Sequence, residues 1–109
     1  MLTLESFKAA RSVLQAVLRP TPLIYSPYLS KTCGNNVYLK PENMQATGAY
    51  KLRGAYYKIS TLSQEEKDRG LVTASAGNHA QGVAYAAQAA GVAATIVMPT
   101  TTPLVKVNN

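Results

Sequence analysis

Cysteine, histidine and acidic side chains are scarce in this chain of 109 residues. A single cysteine, Cys33, excludes an internal disulfide framework and a cysteine-based metal site. His79 also stands alone, so no histidine-rich metal cluster is available. No apolar run reaches membrane-spanning length, and Met1 opens an amphipathic stretch where a signal peptide would carry an apolar core. These absences point to a cytoplasmic protein with no membrane partner. Five acidic residues face eleven lysines and arginines, for a formal charge of +6. That balance is compatible with a nucleic-acid surface, but its distribution argues otherwise. Ten of the eleven basic residues lie between Lys8 and Arg69, spaced out and partly balanced by Glu5, Glu42, Glu65, Glu66 and Asp68. Without a basic run or aromatic–basic interleaving, nucleic acid is not an expected partner.

One region has almost no charge at all. From Gly70 to Asn109 the only charged residue is Lys106. A helix expected over Asn78 to Ala90 carries no charge on any face, the pattern of a helix buried all round. A chain this short has little room to cover such a helix, so further chain or a partner subunit is expected to cover it. Pro103, with Thr102 as its N-cap, looks like the start of a helix that is unfinished at Asn109. Residues 1–109 therefore read as the N-terminal portion of a longer protein.

What is present describes a globular chain of one domain at most: 47% hydrophobic residues and a mean hydropathy of −0.05. Residues 2 to 18 place Leu4, Phe7, Arg11, Leu14 and Leu18 at helical spacing, with Thr3 and Ser6 as caps. Pro20 and Pro22 stop that helix and start an extended segment, Leu23 to Tyr25. Ser26-Pro27 opens a short helical turn through Lys31, closed by the turn Cys33-Gly34-Asn35-Asn36. Val37 to Lys40 is a second strand, and Glu42 to Gly48 a polar loop. A helix is expected from Gly48 or Ala49 to about Leu62. Ser63 with Glu66 forms a capping box for a short helix that Gly70 ends. Leu71 to Ala74 and Ala94 to Met98 read as strands on either side of the uncharged helix, with Gly91 as its C′ residue. Alternating strands and helices predict an α/β fold built from βαβ units in a parallel sheet.

The stretch Leu71 to Gly82 organises the rest. A strand that turns through Gly77 into a helix leaves backbone N–H groups unpaired at the helix start, beyond the carboxyl end of the strand. Those donors suit a carboxylate or phosphate. An ordinary strand–turn–helix, with Ser75 or Asn78 as N-cap, is the other reading of the same residues. Lys51 lies in the opening turn of its helix, where the macrodipole disfavours an ammonium group. That is a poor place for stability and a useful one for an amine that must condense with a carbonyl cofactor. A solvated surface lysine remains the alternative, and Arg53 reads as structural. Asn78 either caps the helix or offers its amide to a phenolic oxygen. A lone histidine such as His79 is more often a hydrogen-bonded structural residue than a catalyst. Gly77 and Gly82 have P-loop spacing, but Val83 and Ala84 stand where Lys and Ser/Thr belong, so nucleotide binding by that route fails.

Three segments taken together are far more specific. Lys40-Pro41-Glu42-Asn43-Met44-Gln45, Thr47-Gly48-Ala49-Tyr50-Lys51-Leu52-Arg53-Gly54-Ala55 and Ser75-Ala76-Gly77-Asn78-His79-Ala80-Gln81-Gly82-Val83-Ala84 resemble the threonine dehydratase (threonine ammonia-lyase) and serine racemase group. That group belongs to the pyridoxal-phosphate enzymes of the tryptophan synthase β-like fold. Met98-Pro99 with Pro103 and Lys106 fits the same pattern. The resemblance implies pyridoxal 5'-phosphate held covalently by Lys51, which also serves as acid/base at the substrate α-carbon. It implies Asn78 as the partner of the cofactor ring hydroxyl, and Ser75, Ala76, Gly77, Asn78 and His79 as the loop that grips the substrate carboxylate. The implied reaction is β-elimination from L-threonine, and from L-serine, to a 2-oxo acid and ammonia, in amino-acid metabolism such as isoleucine biosynthesis. Serine racemase and a non-catalytic binding or assembly module are the alternatives. Cysteine synthases and threonine synthases tend to have threonine at the position of His79. Ala49-Tyr50 departs from the Ser-Phe of many relatives. The family's glycine-rich phosphate loop and the Ser or Cys that meets the pyridine nitrogen are absent from this sequence. The chain is thus expected to hold part of the cofactor pocket, to be inactive alone, and as a full-length protein to form a homo-oligomer.

Overall fold

A computed structural model describes residues 1–108. The first helix, α1 (Leu4–Leu14), opens with a reciprocal capping box between Thr3 and Ser6. It stops a turn short of the expected Leu18, because Val17 and Leu18 both bond back to Leu14 and Pro20 has no N–H to continue the ladder. Next come β1 (Ile24–Tyr25), α2 (Pro27–Cys33) and β2 (Tyr38–Leu39). Ser26 caps α2 and Gly34 ends it in the left-handed conformation. β1 and β2 pair antiparallel, with Ile24 opposite Leu39 and Tyr25 opposite Tyr38. The expected parallel arrangement does not extend to this pair. α2 and the turn after it carry the chain back on itself, held by Ser26 N–H donating to the Val37 carbonyl and Val37 N–H donating to Ser30 Oγ.

A 3₁₀ turn (Glu42–Met44) lies within the expected loop. α3 (Lys51–Ser60) begins at Lys51, later than Gly48 or Ala49, since Gly48 has a φ of 67° and closes a turn onto Gln45. α4 (Gln64–Asp68) carries the Ser63–Glu66 capping box. β3 (Leu71–Ala74), α5 (Asn78–Ala90) and β4 (Ala94–Val97) form the expected parallel unit, in the register Leu71 with Ala94 through Ala74 with Val97. Gly91 ends α5 with a φ of 67°. A last helix, α6 (Leu104–Asn108), follows Pro103.

The core lies where α3 crosses α5. Leu52 is fully buried there with Ile59, Ala86, Ala87 and Val92, and Leu18, Ala55, Tyr56 and Leu71 pack around them. Burying a leucine completely contributes about 1.5–3 kcal/mol. The small residues of α5 form its packed face: Ala80, Gly82, Val83, Ala86 and Ala87 are buried. Its other face is open, with Ala84, Tyr85, Gln88 and Ala89 exposed, so burial all round is not met by the described residues. The sheet behaves alike. Val72 and Val97 are exposed on the side of β3–β4 away from half-buried Leu71, Thr73 and Ile96. A Cα radius of gyration of 16.7 Å, against about 13 Å for a compact domain near this size, reflects the same open outline.

Candidate active site

The loop from Ser75 to Gly77 sits at the carboxyl end of the parallel pair. Ser75 N–H extends the ladder by donating to the Val97 carbonyl at 3.0 Å. Ser75 Oγ then accepts from Gly77 N–H at 3.2 Å, so the serine braces the loop without capping the helix. Gly77 is the N-cap residue and offers no side chain, while Asn78 is already the first helical residue. Neither Ser75 nor Asn78 is therefore the N-cap. The unpaired donors at the start of α5 remain free of any side-chain cap. Asn78 and His79 are exposed, and neither side chain makes a hydrogen bond among the described residues. The structural, hydrogen-bonded role weighed for His79 is thus not observed among them.

Lys51 is the first residue of α3, in a helix start with no side-chain cap and no acid in its first turn. Among the described residues it has no salt-bridge partner. Its ammonium lies 5.7 Å from the centroid of the exposed Tyr50 ring. The backbone of Lys51 is pressed against α5 at Gly82. A Cβ on that glycine would stand 3.2 Å from the Lys51 carbonyl carbon and 3.4 Å from Lys51 Cβ. Asn78 precedes Gly82 by four residues, one turn up the same face and about 6 Å along the axis. The lysine and the open helix start therefore occupy one side of the molecule. Lys106, the lone charge of the C-terminal stretch, also comes here: its Nζ is 3.9 Å from where a Cβ of Gly77 would lie.

A polar clamp behind α3 holds this arrangement. Arg53 forks onto Glu42, with Nε to Oε2 at 2.9 Å and Nη2 to Oε1 at 2.7 Å. Thr21 Oγ1 donates to the same carboxylate at 2.7 Å, and Lys40 Nζ donates to the Thr21 carbonyl. The Arg53 hydrogen bond, aided by Thr21 and against the effect of burial, holds the Glu42 carboxyl below its ordinary range. The same bond raises Arg53. Gln45, almost fully buried, closes the loop: its Oε1 accepts from Arg19 N–H at 2.9 Å, and its Nε2 donates to the Arg19 carbonyl at 3.1 Å. Arg53 is structural, as its position on the helix indicated. The roles of Glu42 and Gln45 went unassigned from sequence; a glutamate opening a 3₁₀ turn and a glutamine just after it were the signal available. A groove of about 830 Å³ between α1, residues 18–21 and α3 is lined by Phe7, Leu14, Arg19, Lys40 and Tyr57, and it includes neither Lys51 nor Asn78.

The α/β chain thus packs a helix that begins at Lys51 one turn from an uncapped helix start at the carboxyl end of parallel strands. Residues 14–109 match the family described as pyridoxal-phosphate dependent enzyme, and the chain belongs to it. The L-threonine ammonia-lyase of Thermotoga maritima is 57% identical over 107 residues, which are 98% of this chain and 27% of that protein. Threonine deaminase isoform 2 of Solanum lycopersicum aligns with a TM-score of 0.80 at 44% identity, over 98% of this chain and 33% of that one. Serine racemase of Dictyostelium discoideum aligns with a TM-score of 0.91 at 36% identity, over 98% and 35%. The chain spans about a quarter to a third of the length of these relatives. The family depends on pyridoxal phosphate, and no described helix is long and apolar enough to cross a membrane.

Proposed function

We propose that this chain carries the lysine and the carboxylate-binding loop of an L-threonine ammonia-lyase, acting on L-threonine and L-serine. One observation carries the reading: the backbone of Lys51 is in contact with α5 one turn below the uncapped donors and Asn78. The donor set suits pyridoxal phosphate, with a primary amine for its aldehyde and a carboxamide for its ring hydroxyl. When bound, the cofactor supplies a sink for the electron pair left at the substrate α-carbon. Lys51 Nζ removes the α-proton in this scheme. Within the loop Ser75 to His79, the N–H groups of Ala76, Asn78 and His79 hold the substrate carboxylate and orient that proton toward the amine. Ser75 N–H stays on the Val97 carbonyl and Gly77 N–H on Ser75 Oγ. Loss of the β-hydroxyl and hydrolysis then release ammonia and a 2-oxo acid. For threonine the product is 2-oxobutanoate, a precursor suited to isoleucine biosynthesis in the cytoplasm. Further chain or the subunits of a homo-oligomer would cover the faces of α5 and of β3–β4 that the described residues leave open.

Two experiments test this. The chain is mixed with pyridoxal phosphate, reduced with borohydride and mapped by peptide mass; the adduct is expected on Lys51. An adduct spread over several lysines, or none in a folded chain, would favour a non-catalytic binding or assembly module. The chain is also joined to the remaining part of the Thermotoga maritima relative and assayed with both amino acids. Production of 2-oxobutanoate from threonine supports the lyase. D-Serine from L-serine without 2-oxo acid would replace it with the racemase reading, which the alignment with Dictyostelium serine racemase favours.

A further inference from the structure

Two of the chain's glycines lie inside helices, and they differ sharply. Gly54 in α3 is exposed, and a Cβ there would meet nothing within 4 Å. Gly82 in α5 is buried, and a Cβ there would meet Leu52 N at 3.2 Å, the Lys51 carbonyl carbon at 3.2 Å and Lys51 Cβ at 3.4 Å. A glycine in a helix interior is less stabilising than alanine, so close packing is the physical reason to keep one. Two of the three atoms facing Gly82 belong to the α3 backbone and cannot rotate aside. Nor can α3 slide away freely, because Leu52 is fully buried in the core beside Ala86 and Ala87.

We infer that Gly82 is a positioning residue for the Lys51 amine. The absence of a side chain lets the first turn of α3 seat directly on α5, and this depth of seating sets the distance from the amine to Asn78 and the open donors one turn above. A methyl group at residue 82 lifts the Lys51 end of α3 while Ile59, at the other end of the helix, remains in the core. The displacement is a few tenths of an ångström, at the one place where the amine must meet the cofactor. The inference rests on the proposed role of Lys51, and its test separates the two.

The variants are Gly82→Ala and, as a destabilising control at the other end of α3, Ile59→Ala. For each we would measure the melting temperature, the rate of pyridoxal-phosphate capture on Lys51 after reduction, and the circular dichroism of the bound chromophore. Gly82→Ala is expected to slow capture about tenfold and to change the chromophore signal. Ile59→Ala is expected to lower the melting temperature yet leave capture within about twofold and the signal unchanged. Capture by Gly82→Ala at the unmodified rate, or slowed in both variants in proportion to lost stability, would overturn the inference. A cofactor-free measurement covers a Gly82→Ala chain that fails to fold: nuclear Overhauser contacts from the Gly82 α-protons to the Leu52 amide proton are expected in the unmodified chain, and their absence would overturn it too. Those contacts present without any capture on Lys51 would sink the enzymatic reading and leave the seating intact.

Discussion

The stretch before Gly70 and the βαβ unit after it are held together by different forces. The first carries ten of the eleven basic residues and all five acids, and it relies on side-chain bonds: the Thr3–Ser6 box, the Gln45 bridge to Arg19, and the fork of Arg53 on Glu42. The second has one charged residue and relies on a parallel backbone ladder with small side chains packed on a helix. The site draws on both. Lys51 comes from the charged part and the open helix start from the uncharged one, and the α3–α5 crossing joins them. The difference teaches that a lysine can head a helix packed on the uncharged unit with no salt-bridge partner among the described residues, while Arg53 two residues on is paired with Glu42.

Perturbing each part should show this division. The largest effect is expected from Lys51→Ala, which removes the cofactor adduct altogether while leaving the far-ultraviolet circular dichroism unchanged; an adduct of undiminished yield would show that the amine is elsewhere. Leu52→Ala strikes the joint itself and should cost about 2–5 kcal/mol by denaturant unfolding, since it leaves a cavity between α3 and α5. Arg53→Met removes the fork from a half-buried carboxylate and should cost about 1–3 kcal/mol. That loss should depend on pH. The folded Glu42 carboxyl lies below its ordinary value of 4.5, so its contribution is present above that value and is lost as the pH falls through the lower folded value. The unmodified chain and the Arg53→Met variant should therefore converge in stability in acid, and a constant gap would assign the effect to packing. Ser63→Ala, which removes the α4 cap, should cost about 1 kcal/mol or less and leave cofactor capture untouched.

Much of this architecture was legible from local patterns. Caps were readable because they depend on neighbours within four residues: Thr3 with Ser6, Ser26 before Pro27, Ser63 with Glu66, and Gly91. β3, α5 and Gly91 follow one another with unambiguous period and punctuation, and their expected limits coincide with those observed. The start of α3 was less legible, because the left-handed turn at Gly48 is stabilised by its bond to Gln45, itself anchored on distant Arg19. The uncharged helix pointed to burial on every side, whereas the described residues cover one face. Hydrophobicity records that a surface avoids water and is silent about which chain covers it.

By itself the sequence determined the order of strands and helices, the family, and the residue types available for chemistry, because each depends on short spacings and local backbone preferences. It also marked Lys51 as misplaced for helix stability and Asn78 as the opening of a charge-free helix. Only the tertiary structure decided that the Lys51 end of α3 packs on α5 at Gly82, one turn from Asn78. That packing brings together a residue without a side chain, Gly82, and a buried leucine thirty residues away, a long-range contact that helical or strand periodicity does not encode.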